Sequence, residues 1–152
     1  MKSYQLIFRQ NLPISITEAW DFFSSPLNLV KITPDDMKFN VTSKLQGEKM
    51  YPGMIITYTV SPMANISVNW MTEITQTVHE KYFIDEQRSG PFKFWHHQHH
   101  FKAIDGGVEM TDILTYALPF GIIGRLTHAL LVKKRIESIF EYRKQKTIEL
   151  FG

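Results

Sequence analysis

The sequence predicts an α+β fold: a curved antiparallel sheet of about seven strands, two short helices after the first strand, and one long C-terminal helix over the sheet. Three observations predict it. A capped helical phase lies near the start, a row of alternating runs is joined by short turn-rich connections, and a long amphipathic stretch closes the chain.

Residues 3–12 read as the first strand and stop at Pro13, which supplies no ladder donor. Ser15-Ile16-Thr17-Glu18 then has capping-box spacing, a hydroxyl followed three residues later by Glu. Ile16, Ala19, Trp20 and Phe23 follow at helical steps, so a short amphipathic helix runs to about Ser24, before Pro26. A second short helix is expected over Leu27 to Ile32, ending ahead of Thr33-Pro34 because the residue before a proline avoids the helical region.

Strands are expected around Lys38–Leu45, Met54–Ser61, Ile66–Thr77 and Lys81–Arg88, then over 92–104 and 107–118. Their connections carry Gly47 with Pro52-Gly53, Pro62, Val78-His79-Glu80 and Gly90-Pro91, turn formers suited to antiparallel neighbours. After Pro119-Phe120-Gly121 a single terminal helix is expected, with Ile123, Leu126, Leu130, Ile136, Ile139 and Phe140 on one face that must be buried. Its Lys133, Lys134, Arg135, Arg143, Lys144 and Lys146 read as a solvated face, with Glu137, Glu141 and Glu149 as neighbours.

Asp105-Gly106, between two alternating runs, is the strongest local signal, because a two-residue type I′ turn needs the positive φ that Asp and Gly tolerate. That loop fixes register. With Ile104 opposite Gly107, Phe101 faces Met110, His99 faces Asp112, His97 faces Leu114 and Trp95 faces Tyr116, all on one side of the hairpin. This side is apolar apart from His97, His99 and Asp112, so it points inward. On the preceding strand Asp85 and Gln87 share the phase of Phe83, and a buried Asp85 carboxylate requires a donor: a histidine of the next strand, Tyr58 or water.

At 152 residues, with 43% hydrophobic and 21% charged, the chain is ordinary for one domain spanning 1–152 and long enough for a real core. The absence of cysteine removes disulfides, thiolate metal sites and cysteine nucleophiles. A formal net charge of +2 gives no argument for nucleic acid, and no binding motif accompanies the basic helix. No apolar run approaches the ~20 residues of a membrane span, so no integral membrane association is expected and a cytoplasmic location is. Neither a phosphate loop nor a dinucleotide fingerprint is visible, and no cofactor is expected.

Beyond these patterns, local phrases carry a likeness. They are Trp20 with Phe23, Ile32-Thr33-Pro34, Trp70 with Ile74, Phe83-x-Asp85-x-Gln87 and Gly90-Pro91-Phe92; then Trp95-x-His97-x-His99-x-Phe101, Met110-Thr111-Asp112 and Tyr116-x-Leu118-Pro119-Phe120-Gly121. With them the chain resembles the START-like or SRPBCC superfamily, the helix-grip fold of steroidogenic lipid-transfer domains and the birch pollen allergen. Within it the phrases resemble a bacterial, cyclase/dehydrase-like subgroup of ligand-binding proteins. The resemblance covers essentially the whole chain. It implies a small hydrophobic partner, a lipid, a polyketide-like or an aromatic molecule, held between sheet and terminal helix.

The expected ligand-binding residues follow from that face and that resemblance. Asp85, Gln87, His97, His99 and Asp112 are the polar members; Trp70, Phe83, Trp95, Phe101, Met110, Leu114 and Tyr116 form walls or core; Leu126 and Leu130 close the space from the helix. Two uses of the polar group stay open: orienting a bound molecule while satisfying one another, or moving a proton in a cyclase- or dehydratase-type reaction. No residue is assigned a catalytic role. His97 and His99 at i and i+2, with Asp112 third and water fourth, have the types for zinc. Because His96 and His100 point the other way and no further ligand cluster stands at motif spacing, no metal is expected. Oligomeric state is not legible.

Overall fold

A computed structural model of the chain describes every residue except Gln46 and Glu48, and for 123–129 it describes the helical backbone alone. Among the described residues seven strands form one antiparallel sheet. They are β1 (Ser3–Leu12), β2 (Asn40–Val41), β3 (Ile55–Val60), β4 (Val68–Val78), β5 (Tyr82–Ser89), β6 (Phe94–Ile104) and β7 (Gly107–Ala117). Their order across the sheet is β1-β7-β6-β5-β4-β3-β2, so only β1 is placed out of sequence, on the far side of β7. α1 (Ile16–Phe23) and a 3-10 stretch (Pro26–Ile32) follow β1, and α2 (Gly121–Phe151) closes the chain.

The hairpin has the register its turn dictates. Ile104 pairs with Gly107, and Phe101, His99, His97 and Trp95 oppose Met110, Asp112, Leu114 and Tyr116. α1 starts in the capping box its sequence encodes: Ser15 N donates to Glu18 Oε2 (2.9 Å) and Glu18 N donates to Ser15 Oγ (3.1 Å).

Two elements differ from expectation. The second short helix is 3-10 over Pro26–Ile32, a form in which each bond spans three residues, and Thr33 N accordingly donates to Val30 O. The strand expected over Lys38–Leu45 shrinks to Asn40–Val41. Lys38 takes a left-handed φ of 49° at its start, and beyond Val41 the amides of Thr42 and Ser43 both reach the same acceptor, Thr57 O, which ends the regular ladder.

Register shifts in β4 at Met71/Thr72 and Ile74/Gln76 bend the strand, and such irregularities increase sheet curvature. The concave face is filled unevenly. At one end α1 lays Ala19, Trp20 and Phe23 on Phe83, Phe101, Val108 and Met110. Along β1 and β7, α2 lays Val132, Ile136 and Phe140 on Leu114 and Tyr116, and the rings of Phe8 and Phe140 stack at 3.9 Å. Between these two filled regions, under β3 and β4, the space stays open. Among the described residues no helix is long and apolar enough to cross a membrane.

Candidate functional site

The open space is a cavity of about 570 Å³. β3 contributes Ile56, Tyr58 and Val60 by strict alternation, β4 contributes Val68, Trp70, Thr72 and Ile74, and α2 presents Val132, Arg135, Ile136, Ile139, Phe140 and Arg143. The helical steps of three and four put those six side chains on one stripe. Most of the wall is apolar; the polar atoms gather at one end.

That end is built from β5, β6 and β7. His97 Nε2 donates to Asp112 Oδ1 at 2.8 Å, and His99 Nε2 donates to Asp85 Oδ2 at 2.6 Å. His99 Nδ1 lies 3.0 Å from Asp112 Oδ1, while His97 Nδ1 lies 3.7 Å from Asp85 Oδ2 and makes no hydrogen bond among the described residues. The two imidazoles overlap at 3.7 Å between centroids, Phe83 stacks on His99 at 4.1 Å, and Phe140 meets His97 edge-on at 5.5 Å. Two carboxylates and two imidazoles thus alternate around a closed ring, walled by aromatic carbon.

The electrostatics follow from that arrangement. Burial disfavours charge on His99, but carboxylates at both ring nitrogens outweigh it, and its pKa is raised above the ordinary value. Burial also pushes His97 down, and the nearby His99 charge adds to this, so His97 is the neutral member. Burial would lift both carboxyls. At Asp112 it is overridden by the hydrogen bonds and charges of His97 and His99, and at Asp85 by the His99 bond and the charges of His97, His99 and Arg143. Both acids are held below the usual carboxylate range.

Two buried donors at the cavity have no partner among the described residues: Trp70 Nε1, on a side chain 7% exposed, and Arg143 Nε. Native interiors leave few such atoms, so each marks a place for an acceptor. Tyr58 OH, by contrast, is within 3.2 Å of Thr72 Oγ1.

Of the residues expected to contact a ligand, the structure brings Trp70, Asp85, Trp95, His97 and His99 to the cavity. Asp112 stands behind the imidazoles and borders a separate cleft between β1 and α2. Phe83, Phe101 and Met110 lie in the core beneath α1, and Leu114 and Tyr116 lie in the core beneath α2, because the helices cover those ends of the sheet. Gln87 serves the backbone: its Nε2 donates to Phe92 O (2.7 Å) and its Oε1 accepts from Phe92 N (3.1 Å), pinning the Gly90-Pro91 turn. Leu130 is 66% exposed, turned away from the sheet. The Leu126 side chain lies outside the described residues.

Sequence reading missed the β3 wall and the inward arginines. The alternation Ile56-Tyr58-Val60 was a usable signal; for Arg135 and Arg143 the signal was their spacing from Val132 and Ile136. Arg135 Nε donates to Pro62 O (2.8 Å) and its Nη2 to Asp36 Oδ2 (2.9 Å), which straps α2 to the segments that follow β3 and precede β2 beside the cavity.

No protein-family model matches the chain, and no curated protein matches it. Solved structures do. The Zhui aromatase/cyclase from Streptomyces sp. R1128 superposes with a TM-score of 0.74 at 9% identity, covering 97% of this chain and 93% of that one. Ara h 8.0201 gives 0.63 at 11% identity over 97% and 99% of the two chains. Protein Ms6760 from Mycobacterium smegmatis gives 0.65 at 19% identity over 93% and 88%. The chain has the helix-grip fold. In helix-grip terms the cavity lies between the gripped helix α2 and the β3–β4 side of the sheet, with Asp85, His97 and His99 of the ring on its wall.

Proposed function

We propose that the protein binds a small, mostly apolar molecule in this cavity, with the polar end of the ligand at His97 and Asp85. The observation that carries the reading is the pairing of an apolar chamber of about 570 Å³ with buried polar atoms left unpartnered on its wall. Chambers of this size, apolar with a few convergent polar groups, are what small-molecule sites look like. Apolar burial supplies affinity; Trp70 Nε1 and His97 Nδ1 supply orientation, one as a donor and the other as an acceptor. A lipid, an aromatic compound or a polyketide-like molecule fits that description.

Titration with the neutral fluorophore N-phenyl-1-naphthylamine tests it. Saturable one-to-one binding is expected, weakened at least about tenfold by Ile139→Trp, which fills the chamber from the helix. Unchanged binding by a folded Ile139→Trp protein would sink the proposal.

A second reading, a cyclase- or dehydratase-type enzyme, is favoured by one observation: His97, which lines the cavity, is a buried neutral imidazole backed by Asp112, and its other nitrogen makes no hydrogen bond among the described residues. That is the geometry of a general base, and the fold is also that of an aromatase/cyclase. Turnover of a polyketide-like β-hydroxy ketone with a rate governed by one imidazole would carry this reading; binding without turnover removes it.

A further inference from the structure

We infer that Asp85, His97 and His99 form a site for a divalent transition-metal ion of the zinc type on the cavity wall. This goes beyond ligand binding and does not depend on it: with the ion bound, His97 Nδ1 faces the metal and a ligand's polar end meets the open coordination position instead. One oxygen of Asp85 and one ring nitrogen from each histidine lie within 4.8 Å of one another. Distances identify the atoms: Asp85 Oδ2 is 2.6 Å from His99 Nε2 and 3.7 Å from His97 Nδ1. A tetrahedral ion bonded at about 2.0–2.1 Å places its ligand atoms about 3.3 Å apart, a spacing those two distances bracket. To reach that spacing the shorter distance lengthens by about 0.7 Å and the longer one shortens by about 0.4 Å, shifts within reach of side-chain rotation.

The independent observation is Asp112. Ligating histidines characteristically give their remote N–H to a carboxylate, which fixes the tautomer and aims the lone pair at the metal. Here one oxygen, Asp112 Oδ1, lies 2.8 Å from His97 Nε2 and 3.0 Å from His99 Nδ1, the two nitrogens that are not part of the converging set. Hydrogen bonding by a lone carboxylate–imidazole pair needs no such double backing. The sequence pattern assigned Asp112 as the third ligand of the zinc it then weighed against; the register across β5 and β6 puts Asp85 in front and Asp112 behind.

All three ligands border the cavity, so the remaining coordination position opens into it. Two histidines and one carboxylate with an open position is a recognised divalent-metal set. A dication balances Asp85 and Asp112, and Arg143 adds one positive charge from α2, so the open position favours an anionic oxygen such as hydroxide, carboxylate or enolate.

Chelator-treated protein titrated calorimetrically with Zn²⁺ decides the matter. One ion per chain is expected, with affinity lowered about 10–100-fold by Asp112→Asn and more by Asp85→Asn or His97→Gln, while His96→Gln and His100→Gln, on the outer face, change nothing. Co²⁺ should give the intense visible bands of a tetrahedral site. Should the inner variants not fold, imidazole nitrogen NMR of the natural sequence provides the reading: Zn²⁺ must shift His97 and His99. Zinc binding that leaves those resonances in place, or that disappears in His96→Gln, overturns the assignment, as does the lack of one-to-one binding.

Discussion

Asp85 on β5 and His99 on β6 meet at 2.6 Å inside the curved sheet, a carboxylate against an imidazole that has a second carboxylate at its other nitrogen. In the metal-free protein this makes stability depend on pH in two directions. His99 has its folded pKa raised above 6.5, so its contribution is full below 6.5 and fades as pH rises through the raised value. His97 has its folded pKa depressed below 6.5, so its contribution is full above 6.5 and fades as pH falls through the depressed value. Urea unfolding across pH 5 to 8 is expected to show greatest stability near 6.5, since both fades start there. His99→Gln should remove the alkaline decline and His97→Gln much of the acid one, the remainder belonging to His100, whose pKa burial and the His99 charge also lower; a flat profile in the natural sequence would refute the charge assignment.

Asp112 carries the larger structural burden, because two imidazoles lean on one of its oxygens. Its depressed pKa means its contribution is present above 3.8 and is lost as pH falls through the lowered value. Asp112→Asn keeps the shape and removes the charge. At neutral pH the expected cost is about 3 kcal/mol, the scale of breaking a buried pair from one side. A urea-derived loss under about 1 kcal/mol would show that the ring holds without it.

Much of this ring was legible in the sequence, for a reason that also marks where legibility stops. Asp105-Gly106 offers the two-residue turn, and the hydrophobic pattern, which sets Phe101 against Met110 rather than Thr111, selects it over a three-residue loop, so His99 opposite Asp112 follows from local signals. Asp85 could be placed inward by phase, yet its partner depends on the β5–β6 register across the Gly90-Pro91 connection, whose turn Gln87 pins with side-chain bonds that no dipeptide rule encodes. The cavity walls were harder still. An inward-facing strand position reads the same whether a helix covers it, as over Phe101 and Leu114, or leaves it open, as at Trp70. Arg143 looked like one more solvated cation on a basic helix; its place on the same helix face as Ile136, Ile139 and Phe140, which covers the cavity, brings its charge to bear on Asp85.

Trp70 offers a test that separates stability from recognition. Its Nε1 is an orphaned buried donor, so Trp70→Phe loses ring contacts but relieves that penalty. The net change in unligated stability is expected to stay within about 1 kcal/mol. Affinity for an oxygen-bearing apolar ligand should fall more than affinity for its hydrocarbon analogue, measured by paired titrations. Equal losses for both would mean that the indole serves only as wall.

Arg135 predicts a kinetic phenotype. It ties α2 to Pro62 and Asp36 beside the cavity that Arg135 and Pro62 line, and its partner Asp36 is 63% exposed, so the ion pair contributes little to stability. Arg135→Met preserves the stem and releases the strap. Stopped-flow binding of an apolar fluorophore should show association and dissociation both faster, with the dissociation constant nearly unchanged and the free energy of unfolding lowered by less than about 1 kcal/mol. Slower or unchanged exchange would place ligand entry elsewhere.

Phe120, which precedes α2, adopts a left-handed φ of 70° while 84% exposed, and its side chain does not cap the helix. A bulky residue in that region costs roughly 1–2 kcal/mol, a cost glycine avoids, and so exposed a ring recovers little of it through burial. Phe120→Gly is therefore expected to raise stability by about 1 kcal/mol, offset in part by the greater freedom glycine gives the unfolded chain. Because Phe120 also borders the cavity mouth, the same variant should bind an apolar probe more weakly. Greater thermal stability with weaker binding would identify the strained ring as a residue kept for the ligand; lower stability would show that its contacts outweigh the backbone strain.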